Sequence, residues 1–202
     1  KAFQVQYLSK NNTVEPVHQT SWGITTRTIG ALIMVHGDDS GLVLPPRIAP
    51  VQVNIIPIQQ NKEGVLDKAF DLMNSLKDAG LRVKVDDSDK TPGFKFADSE
   101  VRGIPLRLEV GPKDIEAGQV VLVRRDTREK IVVSFENLVE ESKKLLEQIQ
   151  KDMYNRALTF QKERTTDAKS LDELVASLDK KPGFVRAMWC GCRECEEKLK
   201  EY

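Results

Sequence analysis

This chain of 202 residues lacks several features that would fix its class at once. It has no apolar run near the ~18 residues needed to cross a bilayer, so no membrane-spanning helix is predicted. It has no internal repeat and no low-complexity tract, which excludes solenoid architectures. Its 31 Lys and Arg balance 31 Asp and Glu, so no overall positive field attracts a polyanion. A local surface can still be basic on a neutral protein, so RNA binding stays open.

Cysteine is also scarce. The three cysteines all lie within 190–195, whereas a disulfide framework spreads an even number along the chain. Clustered thiols are typical of a reducing compartment, and we predict a cytoplasmic protein. Residue 1 is Lys rather than Met, and residues 1–4 have no apolar signal-peptide core. We therefore expect the chain to be a piece of a longer protein.

The middle of the chain alternates between strand and helix patterns. Strands are predicted at 51–58, 81–85, 104–110, 119–123 and 130–135. One helix has an apolar face and can end at Gly80; the face comprises Val65, Ala69, Leu72, Met73 and Leu76. A second, short helix is predicted at 94–101. Five strands and two helices predict a compact α/β domain with a mixed sheet.

The segments before and after this middle domain have different patterns. Residues 3–8 alternate like a strand, and 18–36 read as a strand followed by a short apolar helix. Gly and Pro punctuate 37–50, which predicts a linker, with Asp38 and Asp39 in a turn. After the middle domain, a long helix is expected with Leu138, Leu145 and Ile149 on one face. A short helix at 171–178 and a helical tail at 196–202 complete the chain.

The junction at 25–27 carries the first candidate site. Arg27 can reach a polyphosphate with its forked, permanently charged guanidinium. Thr25 lies two residues earlier and shares the face of a strand, so both side chains could serve one ligand. The alternative is a solvated arginine on a strand edge.

Longer motifs favour the ligand-binding interpretation of Arg27 over the solvated one. The run 19–53, which contains Trp22-Gly-Ile-Thr-Thr-Arg27, resembles the third signature motif and following linker of prolyl-tRNA synthetase. That family consists of class II aminoacyl-tRNA synthetases, and the likeness is to its archaeal and eukaryotic-like type. It continues through 92–96, 100–114 and 183–190, and so covers essentially the whole chain.

The resemblance implies a division and a chemistry. Residues 1–47 would end a class II catalytic domain, 48–136 would form an anticodon-binding domain, and 137–202 would begin an α+β, zinc-binding-like C-terminal domain. Arg27 and Thr25 would contact ATP, and Ser21, Trp22 and Gly23 would line the prolyl-adenylate pocket. Proline would attack ATP, with Mg²⁺ assisting, and the adenylate would pass to tRNA(Pro). The first two signature motifs are absent from these 202 residues, so we expect no ATP–pyrophosphate exchange from this chain alone.

The resemblance also assigns the anticodon contacts. Glu100, Arg107 and Lys113 match positions that read the two guanines of the proline anticodon. Arg and Lys can donate to guanine O6 and N7, and a carboxylate can accept from guanine N1 and N2. Phe96 could stack on an unstacked base. The alternative is that Glu100 and Arg107 form a surface salt bridge.

The cysteine cluster has two interpretations. Cys190 and Cys195 match a zinc-ligand pair of the family, and Cys192 is an extra thiol. Structural zinc takes four ligands, and the later segment that would complete the set is missing here. Free thiols are the alternative. The family also implies a homodimer and a terminal tyrosine, whose context Tyr202 does not match.

Rival functions stay open at this point. One is a non-catalytic RNA-binding module with an anticodon-binding fold, which would have no use for Thr25 and Arg27. The other is a related class II enzyme for threonine, glycine or histidine. The residues 22–27 and the cysteine-bearing tail argue against these related enzymes.

Overall fold

The computed structural model describes residues 3–200, and the chain divides into two compact units, Lys1–Leu32 and Ile33–Tyr202. Within the described residues, no helix combines the length and apolarity needed to span a bilayer. The prediction concerning Tyr202 lies outside the described residues.

The first unit contains a small hairpin. Strands β1 (Gln6–Leu8) and β2 (Val14–Pro16) pair antiparallel, and Asn12 adopts a left-handed φ of 58° in the turn. Helix α1 (Arg27–His36) begins in this unit. The strand predicted in the first half of 18–36 is wrong, because residues 17–25 form no strand. An extended run needs a partner strand for its backbone groups, and none pairs with it in the described part of the chain.

The second unit is built around the predicted mixed sheet of five strands. Its strands are β3 (Val53–Pro57), β4 (Val83–Val85), β5 (Leu106–Val110), β6 (Gln119–Arg124) and β7 (Lys130–Ser134). The spatial order is β4-β3-β5-β6-β7, with β3 parallel to β4 and β5, and the other two pairs antiparallel. The α/β class and the sheet are therefore confirmed.

Helices cover both faces of this sheet. They are α2 (Val65–Asp78), α3 (Pro92–Val101), α4 (Pro112–Glu116) and α5 (Leu138–Glu163). Apolar residues of α2 and α5 share one core with alternate strand residues such as Val53, Ile55 and Leu108. Helix α3 turns its buried residues Lys95 and Ser99 towards the opposite face. Helix α4 was not predicted, because five residues are too few to show a helical period.

Helix α5 connects the sheet domain to the C-terminal part of the chain. Leu138, Leu145 and Ile149 are buried in the same core as the sheet, as the predicted apolar face requires. The helix then continues past that core to Glu163. The predicted boundary at 136/137 thus falls just before a helix whose first half packs on the sheet, and the division into three domains stays a prediction.

The last part of the second unit is a β-α-β arrangement. Strand β8 (Thr165–Ala168) and strand β9 (Phe184–Ala187) pair in parallel through α6 (Leu171–Lys180). Ser170 caps α6 by accepting a hydrogen bond from the Glu173 amide. Helix α7 (Arg193–Leu199) comes next and begins earlier than the predicted tail helix. Strand β8 was not predicted, because its polar residues lack strand alternation.

Candidate nucleic-acid interface

Helix α3 and strand β5 place the predicted anticodon residues side by side. Thr91 caps α3 by accepting from the Phe94 amide, and Pro92 occupies its first turn. Phe96 and Glu100 are one helical turn apart and so share a face of α3. Arg107 lies on β5, which is central in the sheet.

These residues form one contact group, which we call the Arg107 cluster: Phe96, Glu100, Arg107 and Glu109. Arg107 Nη1 donates to Glu100 Oε1 at 3.0 Å, and Arg107 Nε donates to Glu109 Oε1 at 2.9 Å. The guanidinium carbon lies 4.3 Å from the centroid of the Phe96 ring. Arg107 is only 8% exposed, so its position is set by the fold.

The salt bridge foreseen as an alternative is therefore present, but it is not a solvated surface pair. Within residues 3–200, neither Arg107 Nη2 nor Glu100 Oε2 has a hydrogen-bond partner. Arg107 Nη2 is thus a free donor and Glu100 Oε2 a free acceptor on neighbouring side chains. The bond between Arg107 Nη1 and Glu100 Oε1 holds the two groups together. This pairing matches a guanine, whose O6 and N7 accept and whose N1 and N2 donate.

Two of the predicted residues differ from Glu100 and Arg107 in their surroundings. Lys113 is exposed on α4, and within the described residues it makes no side-chain hydrogen bond or ion pair. Phe96 is half-buried, and the Arg107 guanidinium covers one face of its ring. In this state, that ring face supports the arginine and is closed to a base.

Glu109 was missed by the sequence reasoning. It is two residues from Arg107 on the same strand, so both side chains point to the same face. The alternation Arg107-Leu-Glu109 was the available signal. Together with Glu100, Glu109 fixes the guanidinium from two sides.

Lys95 is a second residue that sequence reasoning missed. It is buried on α3, and its Nζ donates to Gln60 Oε1 and to the Asp86 carbonyl, each at 2.8 Å. Gln60 follows β3 and Asp86 follows β4, so Lys95 anchors α3 to the carboxyl ends of two parallel strands. No sequence pattern separates such a lysine from the solvated ones around it.

The predicted turn at Asp38 and Asp39 is confirmed, and Asp38 has an ionic partner. The Ser40 amide donates to Asp38 Oδ1 at 2.9 Å, and Asp38 bridges to Gly41. Arg125 donates to both Asp38 oxygens, at 2.6 and 2.8 Å. These charged hydrogen bonds lower the pKa of Asp38 to about 2.

The predicted nucleotide residues are arranged differently from expectation. Ser21, Trp22, Gly23, Thr25 and Arg27 are all exposed, Trp22 to 92%. Arg27 begins α1, and its backbone amide donates to Thr25 Oγ1 at 3.4 Å. The expectation that Thr25 and Arg27 share one face of a strand is wrong, because no strand reaches this junction.

The three cysteines are exposed and free around the start of α7. The Cys192 backbone amide lowers the pKa of the Cys190 thiol, and the Cys190 thiol raises the pKa of the Cys195 thiol. Among residues 3–200, no three or more candidate ligands are grouped as a metal would require. The thiols alone also fall one short of the four ligands of structural zinc, so they do not make a complete site.

Comparison with known proteins agrees with this geometry. Residues 52–145 match the anticodon binding domain family. Over 201 residues, the chain is 59% identical to a proline–tRNA ligase of Lachnospira eligens, covering 100% of this chain and 42% of the relative. It is 61% identical to that of Clostridium novyi and 54% to proline–tRNA ligase 2 of Bacillus thuringiensis, with the same coverage.

These similarities confirm the resemblance read from the sequence over the whole chain. The chain spans about 42% of the length of the curated relatives that it matches. The anticodon-binding match contains all four residues of the Arg107 cluster and Lys113.

Proposed function

We propose that this chain is part of a prolyl-tRNA synthetase and that its own share of the work is to read the anticodon of tRNA(Pro). The parent enzyme would activate proline with ATP and transfer it to the tRNA. The observation that carries the proposal is the Arg107 cluster, which offers a fixed donor and acceptor within an anticodon-binding domain.

Recognition would rest on placed contacts rather than on a broad positive field. From residue 100 to 130 the chain has seven basic and six acidic residues. Several of the arginines in this stretch are already paired: Arg102 with Asp98, Arg124 with Asp126, and Arg125 with Asp38. Arg107 and Glu100 would bond a guanine edge, Lys113 would add a donor, and Phe96 would support the arginine or stack on a base.

The test compares Arg107→Ala with the unmodified chain in binding an anticodon stem-loop RNA. One loop carries the proline anticodon, and a second has one anticodon guanine replaced by adenine. We expect Arg107→Ala to weaken binding to the first loop by roughly 10- to 100-fold and to the second far less, because one bidentate base contact is worth that much discrimination.

Arg102→Ala is the matched control, since it removes an exposed arginine whose partner is Asp98 on the same helix. It should change binding to both loops slightly and equally. Equal loss on both loops with Arg107→Ala would contradict base reading and leave only charge attraction.

The rival proposal, a non-catalytic RNA-binding module, has less support. Similarity to proline–tRNA ligases covers the whole chain, and so extends to both sides of the anticodon-binding match at 52–145. A free-standing module would have no use for the residues on either side of that match. A threonine, glycine or histidine enzyme is disfavoured by the same relatives.

The remaining parts of the proposal concern the whole enzyme. Thr25 and Arg27 would contact ATP, and Ser21, Trp22 and Gly23 would line the adenylate pocket, together with residues outside these 202. Catalysis would come from positioning and from charge stabilisation on the phosphates by Mg²⁺ and arginine. No protein nucleophile is required.

Zinc, assembly and location are further expectations. Cys190 and Cys195, with Cys192 as a third thiol, would hold a structural Zn²⁺ only with a ligand from outside these residues. Metal analysis of the dialysed full-length protein separates this from free thiols. We also expect a homodimer, and a cytoplasmic location because the three cysteines are clustered rather than spread as a disulfide framework would be.

A further inference from the structure

The end of α3 that carries Glu100 is held by a second buried arginine. Arg125 follows β6 and has a side chain only 3% exposed. Its Nε donates to the Glu100 backbone carbonyl at 2.9 Å, while Nη1 and Nη2 reach the two oxygens of Asp38. One guanidinium therefore joins Glu100, a member of the Arg107 cluster, to the linker before β3.

That linker lies tightly against the same end of α3. We call residues 38–44 the strap. The Leu42 amide donates to the Val101 carbonyl at 3.0 Å, and the Leu44 amide donates to the Gly103 carbonyl at 3.1 Å. A Cβ placed on Gly103 would lie 2.5 Å from the Leu42 carbonyl carbon. The strap and the turn after α3 are thus in backbone contact.

From this geometry we infer that Arg125, with Asp38, is a positioning residue for anticodon reading. Its fork fixes the Glu100 backbone, and through it the carboxylate that pairs with Arg107. The inference rests on the proposed function, because positioning has meaning only if the Arg107 cluster reads a base. It adds that Asp38 of the linker takes part in reading through Arg125 and Glu100.

The preceding residue, Arg124, is a buried arginine whose contacts are purely structural. Arg124 is as buried as Arg125, and it pairs with Asp126 and Asp152 at 2.8 and 2.7 Å. Within the described residues, its side chain makes no hydrogen bond to Glu100 or to the strap. The two arginines thus match in burial and charge and differ in what they hold.

The experiment uses the full 202-residue chain with the proline-anticodon stem-loop and its guanine-to-adenine counterpart. The variants are Arg125→Lys, which keeps the charge but loses the fork, and Asp38→Asn, which keeps the shape but loses the charge. We expect Arg125→Lys to reduce discrimination between the loops by about tenfold, since a displaced bidentate contact loses much of its selectivity. Asp38→Asn should reduce it in the same direction by less.

Arg124→Lys is the matched control, and circular dichroism at the assay temperature checks that every variant is folded. We expect this control to lower the melting temperature while leaving discrimination unchanged. Unchanged discrimination in folded Asp38→Asn and Arg125→Lys would overturn the inference. If Arg125→Lys does not fold, Asp38→Asn alone decides, because its side chain lies nearer the surface.

The outcome of Arg107→Ala separates this inference from the proposed function. If Arg107→Ala loses discrimination and the Arg125 and Asp38 variants keep it, only the positioning role fails. If Arg107→Ala also discriminates like the unmodified chain, the proposed reading of the anticodon fails, and the positioning role fails with it.

Discussion

Arg27 in the first unit and Arg107 in the sheet domain are the two arginines that the sequence predicts to bind a ligand. Arg107 is buried, stacked on Phe96 and bonded to two carboxylates. Arg27 is exposed, and within residues 3–200 its side chain makes no hydrogen bond or ion pair. The sheet domain therefore holds its candidate residues in a fixed arrangement, whereas the candidate residues of the first unit are exposed.

The largest expected difference between these regions concerns packing. Ile149 on α5 is 1% exposed, and Ile29 on α1 is 59% exposed. We expect Ile149→Ala to lower the free energy of unfolding by about 2–5 kcal/mol, because the lost methyl groups leave a cavity. Ile29→Ala should change it by less than about 0.5 kcal/mol. Urea denaturation followed by circular dichroism measures both.

The pair is matched in residue type and in helical setting, so the contrast reports burial. It also tests the helix that crosses the predicted boundary at 136/137. A loss below about 1 kcal/mol for Ile149→Ala would mean that α5 is not part of the sheet domain's core.

A second contrast asks how firmly the strap is docked within the sheet domain. Gly103 and Gly118 have nearly equal left-handed φ values, 67° and 66°, but only Gly103 has backbone against its Cβ position. We expect Gly118→Ala to cost about 1–2 kcal/mol from the left-handed backbone alone. Gly103→Ala should cost about 2 kcal/mol more, because the strap must move.

The difference between the two variants cancels the backbone cost and isolates the contact between Gly103 and Leu42. Thermal or urea unfolding of both variants gives that difference. Equal losses would show that the strap yields without cost, which would weaken the case for a rigid link to Glu100.

More of the helices and strands were predicted correctly in the sheet domain than in the segments before and after it, for physical reasons. Alternation and apolar faces predicted all five strands, α2, α3 and α5, because burial imposes a period. The strand before Arg27 was wrong, since alternation at 18–25 cannot show whether a partner strand exists. Helix α4 and strands β2, β8 and β9 were missed because they are short and bury little.

The sequence likewise predicted only some of the residues of the candidate site. Motif resemblance predicted Glu100, Arg107 and Lys113, and stacking chemistry predicted Phe96. The structure brings Glu100, Arg107 and Phe96 together and leaves Lys113 apart from them. Lys95 and Arg125 were not predicted, because their roles depend on hydrogen bonds to backbone carbonyls of other parts of the chain. Glu109 was missed although it lies two residues from Arg107 on the same strand. Arg124 and Arg125 are adjacent and identical in type, and only their three-dimensional partners distinguish them.

The smallest expected effect is a pH dependence that reports the ion pair between strap and sheet domain. The folded pKa of Asp38 is about 2, against an ordinary value of 3.8. A lowered carboxyl pKa stabilises the fold above the unfolded pKa, and this contribution is lost as pH falls from about 4 to about 2. Because the Asp38 side chain is 42% exposed, solvent screening reduces the contribution to about 1 kcal/mol.

The gap in unfolding free energy between the unmodified chain and Asp38→Asn should therefore be about 1 kcal/mol at pH 6 and close near pH 2, while other carboxyls cancel in the difference. Asp39→Asn is the matched control, because it removes the neighbouring, exposed carboxyl, and it should change the unfolding free energy at pH 6 by less than about 0.5 kcal/mol. A gap for Asp38→Asn that persists at pH 2 would mean that the loss does not come from the charge of the Asp38 carboxylate, and would contradict this ion-pair account.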